Sequence, residues 1–273
     1  MVAVRTFTAA AQQLLAVASD GTTTIAVGKH GTVVTWNGEC WQPEAVPTDE
    51  DIYAIAAASN EFVAVGGNLH IGGTSLILER SMRGWRGVAS GVQHILLAVA
   101  PTDDGWFAAG FNGALLQRTD QQWQSVDFIN NQHIFSLTAA GGQLYTAGLG
   151  GSVVAYDGKR FGEHNVVPAA HLRAIRGYGA GLLAVGLAGA LLRFDGVAWH
   201  RLVSPTRAAL EALCVVGDGE AYAVGGGGTL LRFDGEAWTA IDTGTRTDLF
   251  GVCVTEEEII AVGADGLALH HRR

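Results

Sequence analysis

Aspartate and histidine side chains recur along the chain at a nearly constant spacing. They are Asp51, His94, His133, His171 and Asp248, separated by about 38 residues or twice that, with one longer step of 43. In a shared cleft, such carboxylates and imidazoles could act as general acids and bases. Neighbouring histidines could hold a metal ion, and any of these side chains could instead hydrogen-bond the amides of a turn. The residue types alone leave all three possibilities open.

A second set of polar side chains stands just after a glycine that recurs through the chain. Its members are Lys29, His30, Asn68, His70, Asn112 and Asp265. Three other copies have only small or apolar residues there, namely Leu149-Gly150, Leu187-Ala188 and Gly226-Gly227. One half of this surface is therefore polar and the other half is plain, which suits a partner protein better than a symmetric ligand. We expect the two sets to form one partner-binding face, with turn capping as the alternative.

The recurring glycine belongs to a repeat that runs the length of the chain. It occurs at Gly28, Gly66, Gly110, Gly148, Gly186, Gly225 and Gly263, at intervals of 38, 44, 38, 38, 39 and 38 residues. An aromatic residue follows each of the first six glycines, at Trp41, Trp85, Trp123, Phe161, Trp199 and Trp238. A repeat of this length is typical of solenoids and propellers.

The seventh copy ends before its aromatic residue is due, and the missing part stands at the N-terminus. Counting back 13 residues from Ala16, which opens the first apolar run, puts Ala3 at the missing position. A closed ring needs this offset if its first and last strands share one sheet. The sequence therefore predicts an all-β fold, a seven-bladed β-propeller of four-stranded blades. We expect one domain over residues 1–273, with an N-terminal strand at about 2–8 closing the last blade.

The sixth copy shows why each repeat should contain four strands. Residues 210–216, 220–225, 229–233 and 237–243 are short apolar or alternating runs bounded by glycine or aspartate. Such runs are typical of strands and too short for helices. Between the third and fourth runs, several copies have a pair that predicts a two-residue hairpin with positive φ at both positions. These pairs are Asn37-Gly38, Asp157-Gly158, Asp195-Gly196 and Asp234-Gly235. We expect the aromatic residue that follows to pack between blades.

Composition narrows the class of partner. The net charge of −9 and only 17 lysines and arginines disfavour nucleic acid and favour a basic partner. No apolar run approaches the roughly 18 residues of a membrane span. Residues 16–28 align with 54–66, so we expect the N-terminal stretch to be a strand and not a signal peptide. The sequence thus predicts a cytoplasmic monomer that binds neither nucleic acid nor membrane, with Cys40, Cys214 and Cys253 as free thiols.

The segments RFDGVAW and RFDGEAW resemble degenerate Asp-boxes, the turn motif of sialidase-type propellers. The seven-copy layout with GTLLRFDG-type hairpins is similar to the photosystem II assembly-factor family and to WD-repeat and YVTN-like propellers. This resemblance covers the whole chain and implies a propeller fold. The chain lacks the full Asp-box, the Gly-His to Trp-Asp signature of WD repeats and the arginine triad of sialidases, so no family site residue carries over.

No catalytic, cofactor or metal motif is found in the sequence. Gly225 to Gly228 precede a threonine but have no P-loop lysine, and the apolar run that follows is a strand and not a helix. His270 and His271 are adjacent, so they point to opposite faces of a strand and do not share a metal easily. We therefore expect no catalytic residue, no cofactor and no metal.

Three functions remain compatible with these residues. The first is a non-enzymatic propeller that binds another protein through the partner-binding face, which we expect to surround the mouth of the central channel and call the channel-mouth face. Such a protein would act as an adaptor, an assembly factor or an inhibitor, including an immunity-type inhibitor of a toxin. The second is a lectin-like propeller, which would need equivalent polar and aromatic residues in every copy. The third is a hydrolase or lyase that uses the channel-mouth histidines and aspartates as acid and base. The fold alone does not decide among them, and we expect the first.

Overall fold

The computed structural model describes residues 4–68, 74–164, 166, 171–217 and 219–273. Within these ranges the regular structure consists of β-strands and five single-turn 3₁₀ segments. The strands are β1 (Val4–Thr8), β2 (Leu14–Ser19), β3 (Thr24–Gly28), β4 (Val33–Trp36), β5 (Trp41–Pro43), β6 (Asp51–Ala58), β7 (Glu61–Asn68), β8 (Thr74–Ser81), β9 (Gly84–Val88), β10 (Leu96–Thr102), β11 (Gly105–Gly110), β12 (Leu115–Thr119), β13 (Gln122–Ser125), β14 (Ile134–Ala140), β15 (Gln143–Gly148), β16 (Val153–Tyr156), β17 (Phe161–His164), β18 (Leu172–Tyr178), β19 (Gly181–Gly186), β20 (Ala190–Phe194), β21 (Trp199–Arg201), β22 (Leu210–Val215), β23 (Ala221–Gly225), β24 (Thr229–Phe233), β25 (Trp238–Ile241), β26 (Leu249–Val254), β27 (Glu258–Gly263) and β28 (Leu267–Arg272). No helix in the described part of the chain has the length and apolar character needed to cross a bilayer.

The strands form seven antiparallel sheets of four strands each. Blades 1 to 6 are built from consecutive strands, β2 to β5 through β22 to β25, and blade 7 has the order β1-β28-β27-β26. The first strand of each blade contacts the first strands of both neighbours, so the sheets close into a ring. The prediction of a seven-bladed propeller with the N-terminal strand in the last sheet is therefore confirmed.

A glycine at the end of each second strand allows the first strand to approach it closely. A Cβ atom on any of these seven glycines would lie 1.9–2.2 Å from the carbonyl oxygen of the residue 15 positions earlier, or 16 earlier for Gly225. The first strand has a β-bulge at the same place in every blade. Bulges redirect the neighbouring side chains. The recurring glycine is thus a steric requirement of the bulge.

The apolar core is divided among the seven seams between blades. Each of seven buried clusters combines side chains from two adjacent sheets. The cluster between blades 5 and 6, for example, joins Tyr178 and Val185 to Phe233 and Trp238. The five tryptophans that open fourth strands are all buried. The aromatic residue of the repeat therefore packs between blades, as the sequence predicts.

The indole groups of these tryptophans are not equally satisfied. Trp85 Nε1 donates a 2.7 Å hydrogen bond to Glu44 Oε2, and Trp123 Nε1 donates to Glu79 Oε1 at 3.2 Å. The buried Nε1 atoms of Trp199 and Trp238 have no hydrogen-bond partner in the described part of the chain. Seams that look alike in sequence therefore differ in polar chemistry.

The turns between third and fourth strands differ from the predicted two-residue hairpins. In blade 5, Phe194 pairs with Trp199, so the turn contains Asp195 and three further residues. Only its glycine has positive φ, at +98° for Gly196. The Asp195 carboxylate accepts two backbone N–H groups at 2.8 Å. These amide hydrogen bonds lower the pKa of that carboxyl. The turn is therefore stabilised by the aspartate side chain and needs only one residue with positive φ.

Each of the three cysteines is unpaired. Cys253 is buried, Cys214 is partly buried and Cys40 is exposed. Burial raises the pKa of the Cys214 and Cys253 thiols. Both therefore behave as small core side chains, Cys214 in β22 and Cys253 in β26.

The unequal indole groups allow the value of one seam hydrogen bond to be measured. Trp85→Phe and Trp238→Phe remove similar apolar area, but only the first removes a donor to a carboxylate. We expect Trp85→Phe to lower the free energy of unfolding by about 1.5–3 kcal/mol more than Trp238→Phe, the usual range for a hydrogen bond to a charged group. Urea unfolding of the two variants measures this, and equal losses would contradict it.

A buried histidine occupies the seam between blades 7 and 1. His270 Nε2 accepts a 3.2 Å hydrogen bond from Trp41 Nε1, and its Nδ1 lies 2.8 Å from a Glu258 carboxylate oxygen. The ring also contacts Phe7 and Trp36, and Arg5 of β1 pairs with Glu258. Desolvation lowers the pKa of His270, and hydrogen bonding to Glu258 only partly opposes this. A proton on Nε2 would face the Trp41 N–H, so the seam requires the neutral imidazole.

This lowered pKa makes the closing seam sensitive to mild acid. The unfolded chain binds a proton near the ordinary histidine pKa of about 6.5, whereas the folded chain binds it at lower pH. The contribution of His270 is therefore complete above about pH 6.5 and is lost as the pH falls below it, at no more than about 1.4 kcal/mol per pH unit. We expect the free energy of unfolding of His270→Gln to fall less than that of the parent when the pH is lowered from 7.5 to 5.5. Parallel curves for parent and variant would refute this.

Candidate functional site

One face of the ring carries both sets of residues that the sequence singles out. In each blade the turn between the second and third strands (the 2–3 turn) and the connection from the fourth strand to the next blade lie at the same end of the antiparallel sheet. We call this end of the ring the upper face and the opposite end the lower face. Ten of the eleven predicted residues lie on the upper face, and His70 falls outside the described residues.

Four of the predicted residues accept a hydrogen bond from a backbone N–H of the preceding blade. The pairs are Asp51 Oδ1 with His30 N (3.1 Å), His133 Nδ1 with Asn112 N (3.1 Å), His171 Nδ1 with Gly150 N (2.9 Å) and Asp248 Oδ1 with Gly227 N (2.7 Å). In every pair the two residues are 21 positions apart. We call these contacts amide caps. The capping alternative thus describes a real contact, and in each case it joins two blades.

Three more predicted residues occupy the middle of a 2–3 turn. His30, Asn112 and Asp265 have φ of 53°, 54° and 56°. Asparagine, aspartate and histidine are enriched several-fold at such left-handed positions. Their residue types are therefore explained in part by the backbone, and the polar half of the face follows partly from turn geometry.

A lysine, an aspartate and a tyrosine form a compact charged cluster where blades 1 and 2 meet. Lys29 Nζ lies 2.7 Å from Asp51 Oδ2, and the Tyr53 hydroxyl donates to the same oxygen at 3.2 Å. Desolvation alone would raise the pKa of Asp51, but hydrogen bonds from Lys29 and the His30 amide outweigh it, and the net shift is downward. The carboxylate is therefore held ionised and paired.

Aromatic rings extend from the rim towards the channel between blades 3 and 4. The His133 ring lies 4.5 Å from the Phe111 ring and 6.5 Å from the Phe135 ring, measured between centroids. Its Nδ1 accepts the Asn112 amide, so the proton of the neutral ring is on Nε2. That atom has no hydrogen-bond partner in the described structure and is free to meet a ligand.

The remaining predicted residues are less informative. His94 is exposed, and its neighbour Ile95 occupies the capping position. Asn68 ends β7 opposite Thr74, beside the insertion of blade 2. Among the described residues, His94 is therefore beside the capping position and does not occupy it.

A ring of side chains at the channel mouth was missed by the sequence analysis. In each first strand, the residue two positions after the one whose carbonyl oxygen faces the recurring glycine belongs to one layer of half-buried groups, which we call the collar. The collar consists of Leu15, Tyr53, Leu97, Phe135, Arg173, Glu211 and Phe250. The types differ between copies, so no motif marks them. The usable signal was their common position, two residues after the capping position in every copy.

The collar combines apolar surface with a single ion pair. Five of its members are aliphatic or aromatic, and Arg173 Nε lies 3.2 Å from Glu211 Oε2. The Arg173 guanidinium also stands 5.0 Å from the centroid of the Phe135 ring, within cation–π range. The channel mouth is therefore an apolar patch with one charged sector at blades 5 and 6.

The capping residues are distributed singly around the face. Each histidine or aspartate holds its own blade junction, so the structure brings no acid and base together in one cleft by these contacts. Among the described residues, no group of three histidine, cysteine or acidic side chains is arranged to hold a metal. What the face offers chemically is hydrogen-bonding rim groups around an apolar centre.

No protein-family model and no curated protein matches the sequence. Solved structures with the same architecture do match. Virginiamycin B lyase from Staphylococcus aureus superposes with a TM-score of 0.87 at 13% identity over 100% of both chains. YCF48 bound to D1 peptide gives 0.79 at 15% identity, over 99% of this chain and 95% of that one. The WD40 propeller domain of Doa1 gives 0.78 at 12%, over 98% and 96%. These likenesses show the propeller fold alone.

The amide caps predict that one blade junction can be weakened and another strengthened. Asp248→Ala removes the acceptor for Gly227 N, and we expect it to lower the free energy of unfolding by about 1 kcal/mol. Ala209 holds the same position in blade 6, where no side chain of the described residues caps Ala188 N. We expect Ala209→Asp to raise the free energy of unfolding by about 0.5–1 kcal/mol. Urea titration measures both changes.

Asp49→Ala is the matched control for these variants. Asp49 is exposed in a connection of the same kind and makes no hydrogen bond in the described structure. It should change stability by less than about 0.5 kcal/mol. If Asp248→Ala behaves like Asp49→Ala, the caps contribute nothing to the ring.

Proposed function

We propose that this propeller is a non-enzymatic binding protein that holds a segment of another protein on its upper face, as an adaptor, an assembly factor or an inhibitor. The collar carries the proposal. Five apolar side chains remain half-exposed around the channel mouth, whereas the equivalent apolar side chains in the seams are buried. Aromatic residues and arginine set in such a centre are the usual energetic anchors of protein interfaces.

The surroundings of the collar resemble an interface rim. Ile129, Leu149 and Val203 are exposed large apolar residues on the upper face, with Val203 at 90% relative exposure. The capping histidines and aspartates, together with Lys29 and Asn112, supply hydrogen-bonding groups between them. An apolar centre with a polar rim is the general anatomy of a protein interface. The predicted partner-binding residues therefore enter the proposal as rim contacts, and the collar enters as the centre.

The solved neighbours support a binding role by analogy. One is YCF48 in complex with D1 peptide, and another is a WD40 domain. A third is a lyase, so the fold accommodates enzymes as well. Binding is favoured here because each capping histidine or aspartate is engaged with a backbone amide in a different junction. The net charge of −9 favours a partner with a basic surface, since long-range attraction guides the encounter.

The decisive experiment compares two pairs of apolar truncations on opposite faces. The tagged full chain, a Phe135→Ala/Phe250→Ala variant and a Met82→Ala/Val197→Ala variant are used to capture proteins from an extract of the producing cells. Met82 and Val197 are exposed residues of lower-face turns. We expect a protein retained by the parent and by the lower-face variant to be retained at least tenfold less by the collar variant. A tenfold loss corresponds to about 1.4 kcal/mol, below the ~2 kcal/mol of an interface hot spot.

Thermal unfolding of each variant must first establish that it is folded. As an independent readout, a photo-crosslinking amino acid at position 250 should label the retained protein, whereas the same group at position 197 should not. Equal retention by the two variants, or labelling from position 197 alone, would contradict binding at the upper face.

A further inference from the structure

One arginine that lines the channel, Arg176, has no acidic partner among the described residues. Arg176 lies in β18, at a position where the other six copies carry small side chains, namely Ala18, Ala56, Ala100, Thr138, Cys214 and Cys253. The fold therefore does not require a long side chain there. Only one guanidinium nitrogen, Nη1, is engaged, by Ser136 Oγ at 3.1 Å, Ile175 O at 2.7 Å and Leu137 O at 3.4 Å. Nε and Nη2 have no partner in the described structure.

This arrangement is unfavourable for the protein alone. Arg176 is half-buried, and arginine is rarely withdrawn from water without an anion, because desolvation of its charge is costly. Desolvation lowers the pKa of Arg176, although a guanidinium remains protonated at neutral pH. Among the described residues, no carboxylate pairs with it. Local rules of this kind are most often broken at functional sites.

Arg176 belongs to the wall of a cavity that reaches the collar. The cavity has a volume of about 120 Å³ and is lined by the collar residues, by Arg176 and by the next residues of the first strands. At about 30 Å³ per water molecule it has room for a carboxylate group, but it is smaller than the roughly 300 Å³ of a drug-sized site. Its ionisable lining consists of Tyr53, Arg173, Arg176 and Glu211. Two arginines against one glutamate leave one positive charge uncompensated.

We propose that the channel is a carboxylate-binding site in which Arg176 is the anchor and Arg173 stands at the entrance, and that its occupant is an acidic side chain of the bound partner protein. The occupant's source rests on the proposed function, whereas the site itself does not. A carboxylate entering through the collar meets Arg173, which is already shared with Glu211, and then the open edge of Arg176. The guanidinium offers two parallel N–H donors, the geometry that suits a carboxylate. The cavity requires only one acidic side chain. The rest of the partner's surface can still be basic, as the net charge of −9 favours.

Sodium acetate, the simplest carboxylate, tests the site directly on the full chain. The Arg176 Nε–Hε resonance is followed by NMR during the titration, with sodium chloride at equal ionic strength as the reference. We expect a saturable shift with acetate and none with chloride. Arg176→Met should lose acetate binding, measured by thermal shift, at least tenfold. Arg83→Met removes an exposed arginine of a lower-face turn and is the matched control that should bind as the parent does.

A second variant covers the case in which Arg176→Met does not fold. Ser136→Ala removes one acceptor from Nη1 but leaves Nε and Nη2 in place, so it should still bind acetate. If instead acetate and chloride have the same effect on Arg176, or Arg176→Met binds acetate like the parent, the carboxylate site is refuted.

The source of the carboxylate is tested with three N-acetylated tripeptides, two of them also amidated at the C-terminus. We expect acetyl-Ala-Glu-Ala-amide to shift the Arg176 resonance and acetyl-Ala-Gln-Ala-amide not to. Acetyl-Ala-Ala-Ala with a free C-terminus tests a terminal carboxylate instead, and binding by that peptide alone, or by acetate alone, would overturn the acidic side chain as occupant. Acetate binding without any collar-dependent partner would refute the proposed function and leave the site standing. Partner capture that is unchanged in Arg176→Met would leave the proposed function standing and overturn an acidic side chain of the partner as the occupant.

Discussion

Seven close contacts between a glycine and a carbonyl oxygen govern the geometry of this ring. Because glycine has no Cβ, the carbonyl oxygen of the first strand can approach to a distance that any other residue would block. The first strand bulges at this point in every blade. In four blades the residue that carries the carbonyl also hydrogen-bonds the preceding blade through its side chain. In His133, the carbonyl oxygen accepts Leu149 N of its own blade at 3.1 Å, while Nδ1 accepts Asn112 N of the preceding blade. The collar side chain follows two residues later, so one steric constraint positions the turn, the junction and the channel mouth together.

The spacing of the repeat predicts the number of blades, the four strands in each and the closing strand, because every copy solves the same packing problem. The turns at Asp195 and its equivalents were less predictable, since an aspartate that accepts two amides supports a longer turn than the Asp-Gly pair indicates. The capping positions are visible in the sequence, but their partners lie across a blade junction. The collar escaped detection because residues as different as Leu15, Tyr53 and Glu211 share one place in the fold.

Departures from the repeat are where the chain becomes specific. Three junctions lack an amide cap in the described structure, because Ile95, Ala209 and Gln13 stand at the capping position without such a contact. The most pronounced departure is Arg176, which replaces a small residue in the most crowded strand of its blade. The differences between the copies thus lie mainly around the central axis. Side chains from all seven blades line the channel there, so a single substitution changes a surface that all blades share.

The pairing of β1 with β28 joins residues from opposite ends of the chain, with Val4 opposite His271 and Thr8 opposite Leu267. Bringing such distant segments together costs more loop-closure entropy than any pairing within blades 1 to 6, and non-local pairing of this kind slows folding. We therefore expect the ring to close late, after its other sheets have formed. Until then β28 presents an unpaired edge, and open edges recruit strands from other molecules. The same pairing that seals one finished molecule is thus, during folding, the place where two unfinished molecules can exchange strands.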